Sequence, residues 1–544
     1  MNLARTRSFV GLAGLCAAGA CVALVRCGDD SSACDACADV TATPLTIALT
    51  PAEIWIHPSD AKPIAVALAR NAGGAGDVSV TIETDAGFTA DTLTIADGQT
   101  AGTLVVHVPP SFTQGETTLT VDAQTPTTLA QATLVVHVAG ASGTLDTSFG
   151  ASGVTALDPG SGQEIARAMI ALQSGVLVGV THVETASSMK VLRLTSGGAT
   201  DSSFATTTTP GDLASIAMLP DARVFAVGSV QNGKFDFAAV RIAAAGGLDP
   251  TYAVGSPISL GDDLAFAAAI QPGGRLVAAG SAADASAIAL ASWTQAPLPP
   301  PDAGPDAGDS GADASDADES DADDASDAVA TDATVSDADA SPNTAHLDPT
   351  FGEGGIVVAP SDPQTGARSL LVGSDGSLYA IGFASSDLDT IALHFGASGA
   401  LDGAFGDGGV ARVNGASGAV AAFLEPSGSI AVATHTSLFR LSSVGAPGSA
   451  TALPNGANAT SIARDPASGA IYVGGSSGTQ CLVARYTSAL ALDATFANAG
   501  VLAWTSSDAC VVAALGVDDD GNLLALATVT TSGATHAAVA RYWP

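Results

Sequence analysis

Arg193 precedes Asp201 by eight residues, and the same offset links Arg241 to Asp249, His394 to Asp402 and Arg485 to Asp493. A cation and a carboxylate at constant spacing can form a charge-assisted hydrogen bond that pins a turn. Alternatively, the cations could form a ring that holds an anion. The first reading accounts for both partners, because each cation has a carboxylate waiting. Gly448 stands at this offset from Arg440, so no pair is expected there. Arg541 has no residue eight positions on. Its expected partner is Asp146, from the start of the repeated region, and that pair would close a ring.

Other chemistry is weakly signalled. Gly474-Gly475-Ser476-Ser477-Gly478 has the form GxSxG, but a loop rather than a helix is expected after it, so the context of a nucleophile elbow is missing. His182, His394, His435 and His536 fall in four different repeat units and could meet only at a shared centre. His57, His107 and His137 sit singly in or beside strands and read as packed or edge histidines. Cys34-Asp35-Ala36-Cys37 is a lone CxxC without a second pair or nearby histidines. Asp316, Asp318, Asp321, Asp323 and Asp324 crowd together, but without the glycine and the fixed liganding order of a calcium loop. No catalytic residue, metal site or cofactor is therefore assigned, and the chain reads as non-enzymatic.

The carboxylates belong to a recurring stretch that begins as Leu145-Asp146-Thr147-Ser148-Phe149-Gly150. It returns at Thr200–Phe204, Leu248–Tyr252, Leu347–Phe351, Leu401–Phe405 and Leu492–Phe496. The cations lie on a strand that ends each unit, where one column reads Arg193, Arg241, Ser292, His394, Arg440, Arg485 and Arg541. Between them a Gly-bearing turn introduces an apolar strand, as in Ser174-Gly175 and Asp375-Gly376, consistent with the positive φ of tight hairpins. There are seven such hairpins against six copies of the Leu-Asp stretch, so one unit has lost its opening motif. Units of this size with four strands each match propeller blades, and neighbours in a ring cover each other's faces.

The combination LDxxFGxxG, apolar hairpin and xARx resembles the delta-60 repeat family of bacterial exported proteins. The likeness covers about residues 144–295 and 346–544. It implies a propeller-like all-β array and supplies no catalytic residues.

The ends and the interruption complete the domain plan. Residues 1–26, with Arg5 and Arg7 before an apolar run, read as a lipoprotein-type signal peptide with Cys27 as the lipidated residue. Arg26 departs from the small residue wanted there, and Cys21 after Ala18-Gly19-Ala20 is the competing position. An ordinary cleaved signal or an uncleaved anchor are the other readings. Residues 27–43 form a flexible tether, and 44–140 an Ig-like β-sandwich, read from about seven short strands with turn signals between them. Residues 143–295 are blades 1–3 and 346–544 are blades 4–7. Between them lies a disordered Asp/Ala-rich insertion, 296–345, expected to fall between blades. From Pro301 to Pro342 it carries thirteen Asp, one Glu and no Lys or Arg. Export permits a disulfide, with Cys481 and Cys510 the candidates in the body of the chain.

A net charge of −36 argues against nucleic acid as a partner. The fold expected is all-β, an N-terminal Ig-like sandwich followed by a seven-bladed propeller. The function expected is an exported, lipid-anchored, monomeric binding or display protein of the cell envelope. It would sit in the outer membrane, at the surface or in the periplasm, and take a protein or glycan ligand. The alternative is a propeller enzyme, a hydrolase or lyase, acting in the central channel.

Overall fold

The computed structural model describes residues 45–293 and 347–544, apart from loop positions 57–60, 71–75, 84–86, 110–111, 113–114, 158–159, 250–257, 259–260, 262, 283–285, 361–363, 385–388 and 506–507. The expected signal and tether, Cys21, Cys27, Cys34, Cys37, His57 and the acidic insertion lie outside the described residues.

Residues 45–138 form two packed sheets. Their strands are β1 (Leu45–Thr50), β2 (Glu53–Ile56), β3 (Ala61–Arg70), β4 (Val78–Ile82), β5 (Thr89–Ala90), β6 (Leu93–Ile95), β7 (Ala101–His107), β8 (Gly115–Gln124) and β9 (Leu129–Val138). One sheet runs β1-β3-β7-β5 and the other β2-β9-β8-β4-β6. Pro51 has no N–H to donate, so β1 stops there and the chain crosses to the second sheet, where β2 lies parallel to β9. That crossing adds β2, and a second change of sheet between β5 and β6 adds another strand, so the structure has more strands than sequence rhythm indicates. Alternation places Ile64, Val66, Leu104, Val106, Val121, Leu134 and Val136 inside, all at 1% exposure or less.

The remaining described residues make seven sheets, six of them meanders and the seventh completed by a strand from the start of the array, and these form a closed ring. Their innermost strands are, in order, Gln163–Leu172, Asp212–Met218, Leu264–Ile270, Gly366–Val372, Ala419–Leu424, Asn458–Arg464 and Ala509–Val517. We number the blades 1 to 7 on that order. Each innermost strand packs on the next, and that of blade 7 packs on that of blade 1. Second strands such as Gly175–Val183 and Leu276–Ala282 are almost continuously buried, because both faces of every blade meet a neighbour. The apolar contacts cross the closure as well: Val178 and Leu192 of blade 1 share a core with Leu526 and Val539 of blade 7.

Sequence unit and blade are out of phase by one strand. The Leu-Asp stretch lies at the turn between a blade's third and fourth strands, so each sequence unit opens with the outer strand of the blade before it. Val154–Ala156 therefore completes blade 7, pairing with Ala534–Tyr542 from the other end of the chain. The same offset corrects the place of the acidic insertion. Ala287–Trp293 and Ile356–Pro360 are adjacent strands of blade 3. The insertion thus interrupts one sheet rather than the space between two blades. A long excursion there is tolerated because loop closure costs grow only slowly with length.

Every innermost strand carries a register shift near its start, at Arg167, Ala214, Phe266 and Arg368 in blades 1–4. In blades 5–7 it falls at Val420, Thr460 and Ala513. Four blades place a glycine across from the residue before the shift. A Cβ on Gly382 would sit 1.9 Å from Gly366 O, and one on Gly475 2.0 Å from Asn458 O. These glycines let the two backbones close up where the strand kinks.

Candidate functional site at the channel mouth

Two ends of the ring must be distinguished. Third-to-fourth-strand turns and first-to-second-strand hairpins share one end, and the other connections share the opposite end.

At the first end the cation–carboxylate column forms a belt. Asp201 Oδ1 accepts from Ser203 N (2.9 Å) and Ser203 Oγ (2.6 Å), and its Oδ2 accepts from Arg193 Nε (2.7 Å). Arg193 Nη2 also donates to Ser203 Oγ (3.0 Å), and its guanidinium stands 5.1 Å from the Phe204 ring centroid. The side-chain and backbone hydrogen bonds from Ser203, then Arg193, hold the Asp201 carboxyl below the usual carboxylate range. Arg485 with Asp493, Thr495 and Phe496 repeats the set, with Nε 3.0 Å from Asp493 Oδ2 and the cation 4.9 Å from the ring. Arg541 repeats it across the closure: Nε donates to Asp146 Oδ2 at 2.6 Å, Nη2 to Ser148 Oγ at 3.1 Å, and the cation lies 4.9 Å from Phe149. Arg241 Nε meets Asp249 Oδ2 at 2.8 Å, and Arg223 approaches the same oxygen at 3.5 Å.

The departures from the pattern follow from the residue at each position. His394 Nδ1 stands 2.9 Å from Asp402 Oδ2, and its ring stacks on Tyr379 at 4.1 Å as well as lying 5.5 Å from its motif phenylalanine, Phe405. Arg440, which faces Gly448, turns to Glu425 and donates twice, at 2.7 and 2.6 Å. Even there the backbone bond of the turn survives, Gly448 N to Arg440 O at 2.7 Å. In blade 3 the column holds Ser292, and Arg275, at the start of the second strand, takes the vacant role. It donates to Asp348 Oδ2 (2.7 Å), Thr350 Oγ1 (2.7 Å) and Ala397 O of the next unit (2.9 Å). Sequence spacing missed Arg275 because it reaches Asp348 sideways from another strand.

Backbone bonds string these turns together. Gly150 N donates to Gly197 O (2.8 Å), Ala205 N to Ala245 O (2.8 Å), Gly352 N to Ser398 O (2.8 Å) and Gly406 N to Val444 O (3.0 Å). Ala497 N donates to Ser142 O (3.2 Å), which returns the belt to its start. The belt also seats the sandwich: Gly143 N donates to Trp543 O at 2.8 Å, and Trp543 lies 5.8 Å from Trp55 of β2. With their carboxylates and carbonyls engaged, the belt cations are structural.

At the opposite end the channel widens to a cavity of about 920 Å³, walled by the first halves of all seven innermost strands. Its lining is mostly Ala, Leu, Ile and Val, with hydroxyls from Ser215, Ser229, Ser369, Thr460, Ser461 and Thr528. The register shifts aim two guanidiniums into it, Arg167 from blade 1 and Arg368 from blade 4. Arg167 Nε donates to Thr181 Oγ1 at 3.1 Å. The surrounding protein lowers its pKa by desolvation, and Asp212 partly offsets this. Arg368 is held between Phe266 and Phe383, 4.6 and 4.9 Å from the two ring centroids. Sequence reading passed over both arginines. Each is one cation in an apolar strand, and only the extra residue of the bulge turns it inward.

The remaining candidates do not assemble. Of His182, His394, His435 and His536, only His435 lines the cavity, with Nδ1 2.8 Å from Asn458 Oδ1. His182 instead lies 4.0 Å from buried Glu164, which pairs with Lys190. Ser476 is in a strand paired with Cys481, and a hairpin follows where a nucleophile elbow needs a helix. His137 stacks on Trp55 at 4.2 Å between Glu53 and Glu116, and His107 meets Asp91 at 2.9 Å. Cys481 and Cys510 form a buried disulfide. Among the described residues no group of three or more His, Cys, Asp or Glu side chains is placed to hold a metal ion.

A seven-membered ring of blades, belted at one end and hollow at the other, makes this chain a β-propeller protein carrying an additional β-sandwich. No family model matches the chain, and no curated protein matches it. Among solved structures it is similar to the Neurospora crassa Pan2 WD40 domain, at 9% identity and TM-score 0.36, covering 71% of this chain and 94% of that one. It is also similar to a gluconolactonase from Xanthomonas campestris, at 11% identity and TM-score 0.29, covering 62% and 89%. A protein of unknown function from Bacteroides caccae follows at 10% identity and TM-score 0.23, covering 62% and 99%.

Proposed function

We propose that this is an exported, lipid-anchored binding or display protein of the cell envelope. In this reading a delta-60-type propeller is held off the membrane by an Ig-like sandwich and performs no catalysis. The observation that carries the reading is the direction in which the chain enters the ring. Ser142, Gly143 and Trp543 join the sandwich to the belted end, so an anchor ahead of the sandwich leaves the channel mouth facing away from it. The strand orders β1-β3-β7-β5 and β2-β9-β8-β4-β6 support an Ig-like module. The buried Cys481–Cys510 pair suits an oxidising compartment.

Binding is favoured over an enzyme of the channel by the placement of titratable groups. Among the described residues that line the mouth, the carboxylate and the imidazole are Asp212 and His435, which belong to blades 2 and 5, three apart around the ring. Proton transfer requires such groups within hydrogen-bond reach of one reacting centre. The test is labelling with a palmitate analogue in a host that lipidates exported proteins, with membrane fractionation. Wild type should label and Cys27→Ala should not, while Cys21→Ala should label normally. Unlabelled wild type, or label retained in Cys27→Ala, would overturn anchoring at Cys27.

A further inference from the structure

Blade 1 carries a trio of titratable side chains that neither the belt nor the channel wall uses. Glu164 stands on its first strand, His182 on the second and Lys190 on the third. Alternation puts all three on the face of Ala166, Val180 and Leu192, which packs against Leu526 and Val539 of blade 7. Glu164 is fully buried, and Lys190 Nζ donates to its Oε1. Glu164 Oε2 has no hydrogen-bond partner among the described residues, and neither has His182 Nδ1, which lies 4.0 Å from Oε1. A buried carboxylate kept as an ion normally has both oxygens met. Here one oxygen is left over, and a titratable ring nitrogen stands unused beside the group.

We propose that Lys190 and Glu164 condense to an amide, an isopeptide cross-link between the first and third strands of blade 1. An amine hydrogen-bonded to one carboxyl oxygen is already close to the carboxyl carbon, and Oε2, held by nothing, lets the group turn that carbon's face toward it. The ammonium first gives a proton to the carboxylate, and a buried site favours the neutral pair over the two ions. Nζ then attacks Cδ and forms the C–N bond. His182 Nδ1 takes the proton that the nitrogen sheds and delivers it to the departing hydroxyl. The C–O bond breaks and one water leaves. Carboxylate plus ammonium thus become amide plus water, with no oxidant or co-reactant. Burial of Glu164 shields the product from hydrolysis. The link spans 26 residues and secures the blade against which the end of the chain closes the ring.

The test is peptide mapping of the full folded chain by mass spectrometry, with the disulfide reduced. Trypsin should leave Lys190 uncut and release one branched species that joins the peptides of Glu164 and Lys190, lighter than their sum by one water. Lys190→Arg keeps the ion pair but supplies no attacking amine. It should give linear peptides only, with the near-ultraviolet circular dichroism of wild type. His182→Ala should slow the appearance of the branched species after cell-free synthesis by about a hundredfold. Wild type recovered with Lys190 free and cleaved would overturn the proposal and leave a plain ion pair. Branching at the wild-type rate in His182→Ala would overturn the part given to His182.

Discussion

Arg541 Nε donates to Asp146 Oδ2 at 2.6 Å, although 395 residues separate them. The contact joins the first turn of the array to its last long strand, beside the pairing of Val154–Ala156 with Ala534–Tyr542. One acidic side chain, fully buried, thus locks the seam of the ring.

Asp146→Asn removes the close counter-ion of Arg541 and leaves it only Asp518 at 4.0 Å, so the cost should approach the about 3–5 kcal/mol of a broken buried pair. Asp493→Asn, with a more exposed carboxylate inside the continuous array, should cost less. Urea unfolding of both variants gives the comparison. Equal midpoints would show that the seam is no weaker than any other join.

Arg275 and Arg223 occupy corresponding places in blades 3 and 2, but only Arg275 replaces a missing column cation. Asp249 retains Arg241 when Arg223 is removed. Arg275→Ala should therefore destabilise by about 1.5–3 kcal/mol, the range for a hydrogen bond to a charged group, and Arg223→Ala by under about 0.5 kcal/mol. Adding Ser292→Arg to Arg275→Ala should recover part of the loss in thermal melting.

Gly382→Ala places a Cβ 1.9 Å from Gly366 O, a backbone atom that can move only by opening the bulge of blade 4. Gly408→Ala meets no atom within 4 Å but stands at φ +62°, so it reports backbone strain alone. The first substitution should lower the melting temperature more. A Gly382→Ala protein with wild-type stability would show that the close approach of the two strands is dispensable.

Replacing both Cys481 and Cys510 by serine removes a cross-link spanning 29 residues. By the loop-entropy estimate this should cost about 3–4 kcal/mol. Urea unfolding of wild type with dithiothreitol should approach the variant's midpoint. Coincident curves with and without reductant would mean that the bond does not form.

Asp201 and Asp402 have carboxyls held below the ordinary value, Asp201 first by Ser203 and Asp402 first by Ala404 N. A depressed folded pKa stabilises above the unfolded value of about 3.9 and is lost as pH falls through the folded one. Melting temperature should therefore hold through neutral pH and drop below about pH 4. Burial raises Asp518, with the opposite sign. Its ionisation opposes folding at neutral pH, so Asp518→Asn should flatten stability above the carboxylate range. A melting temperature that falls with pH above the carboxylate range as steeply in Asp518→Asn as in wild type would contradict that sign.

Repetition made most of the architecture legible in the sequence alone. Seven apolar hairpins, six Leu-Asp stretches and a constant offset of eight specify blade number, strand content and the partners of Arg193, Arg241, His394 and Arg485, because local pairs follow from spacing along one turn. The Arg541–Asp146 pair could be anticipated as well, since a closed ring leaves the last cation only the first carboxylate. Tertiary structure decided what spacing cannot express. Blades are offset from sequence units because the outer strand is donated from the next unit, and Arg275 serves Asp348 because two strands of blade 3 lie side by side. Arg167 and Arg368 face the channel because one extra residue in a strand reverses which side each chain atom faces. That reversal is invisible until the register with the neighbouring strand is known, and it places the candidate ligand site where no repeated motif points.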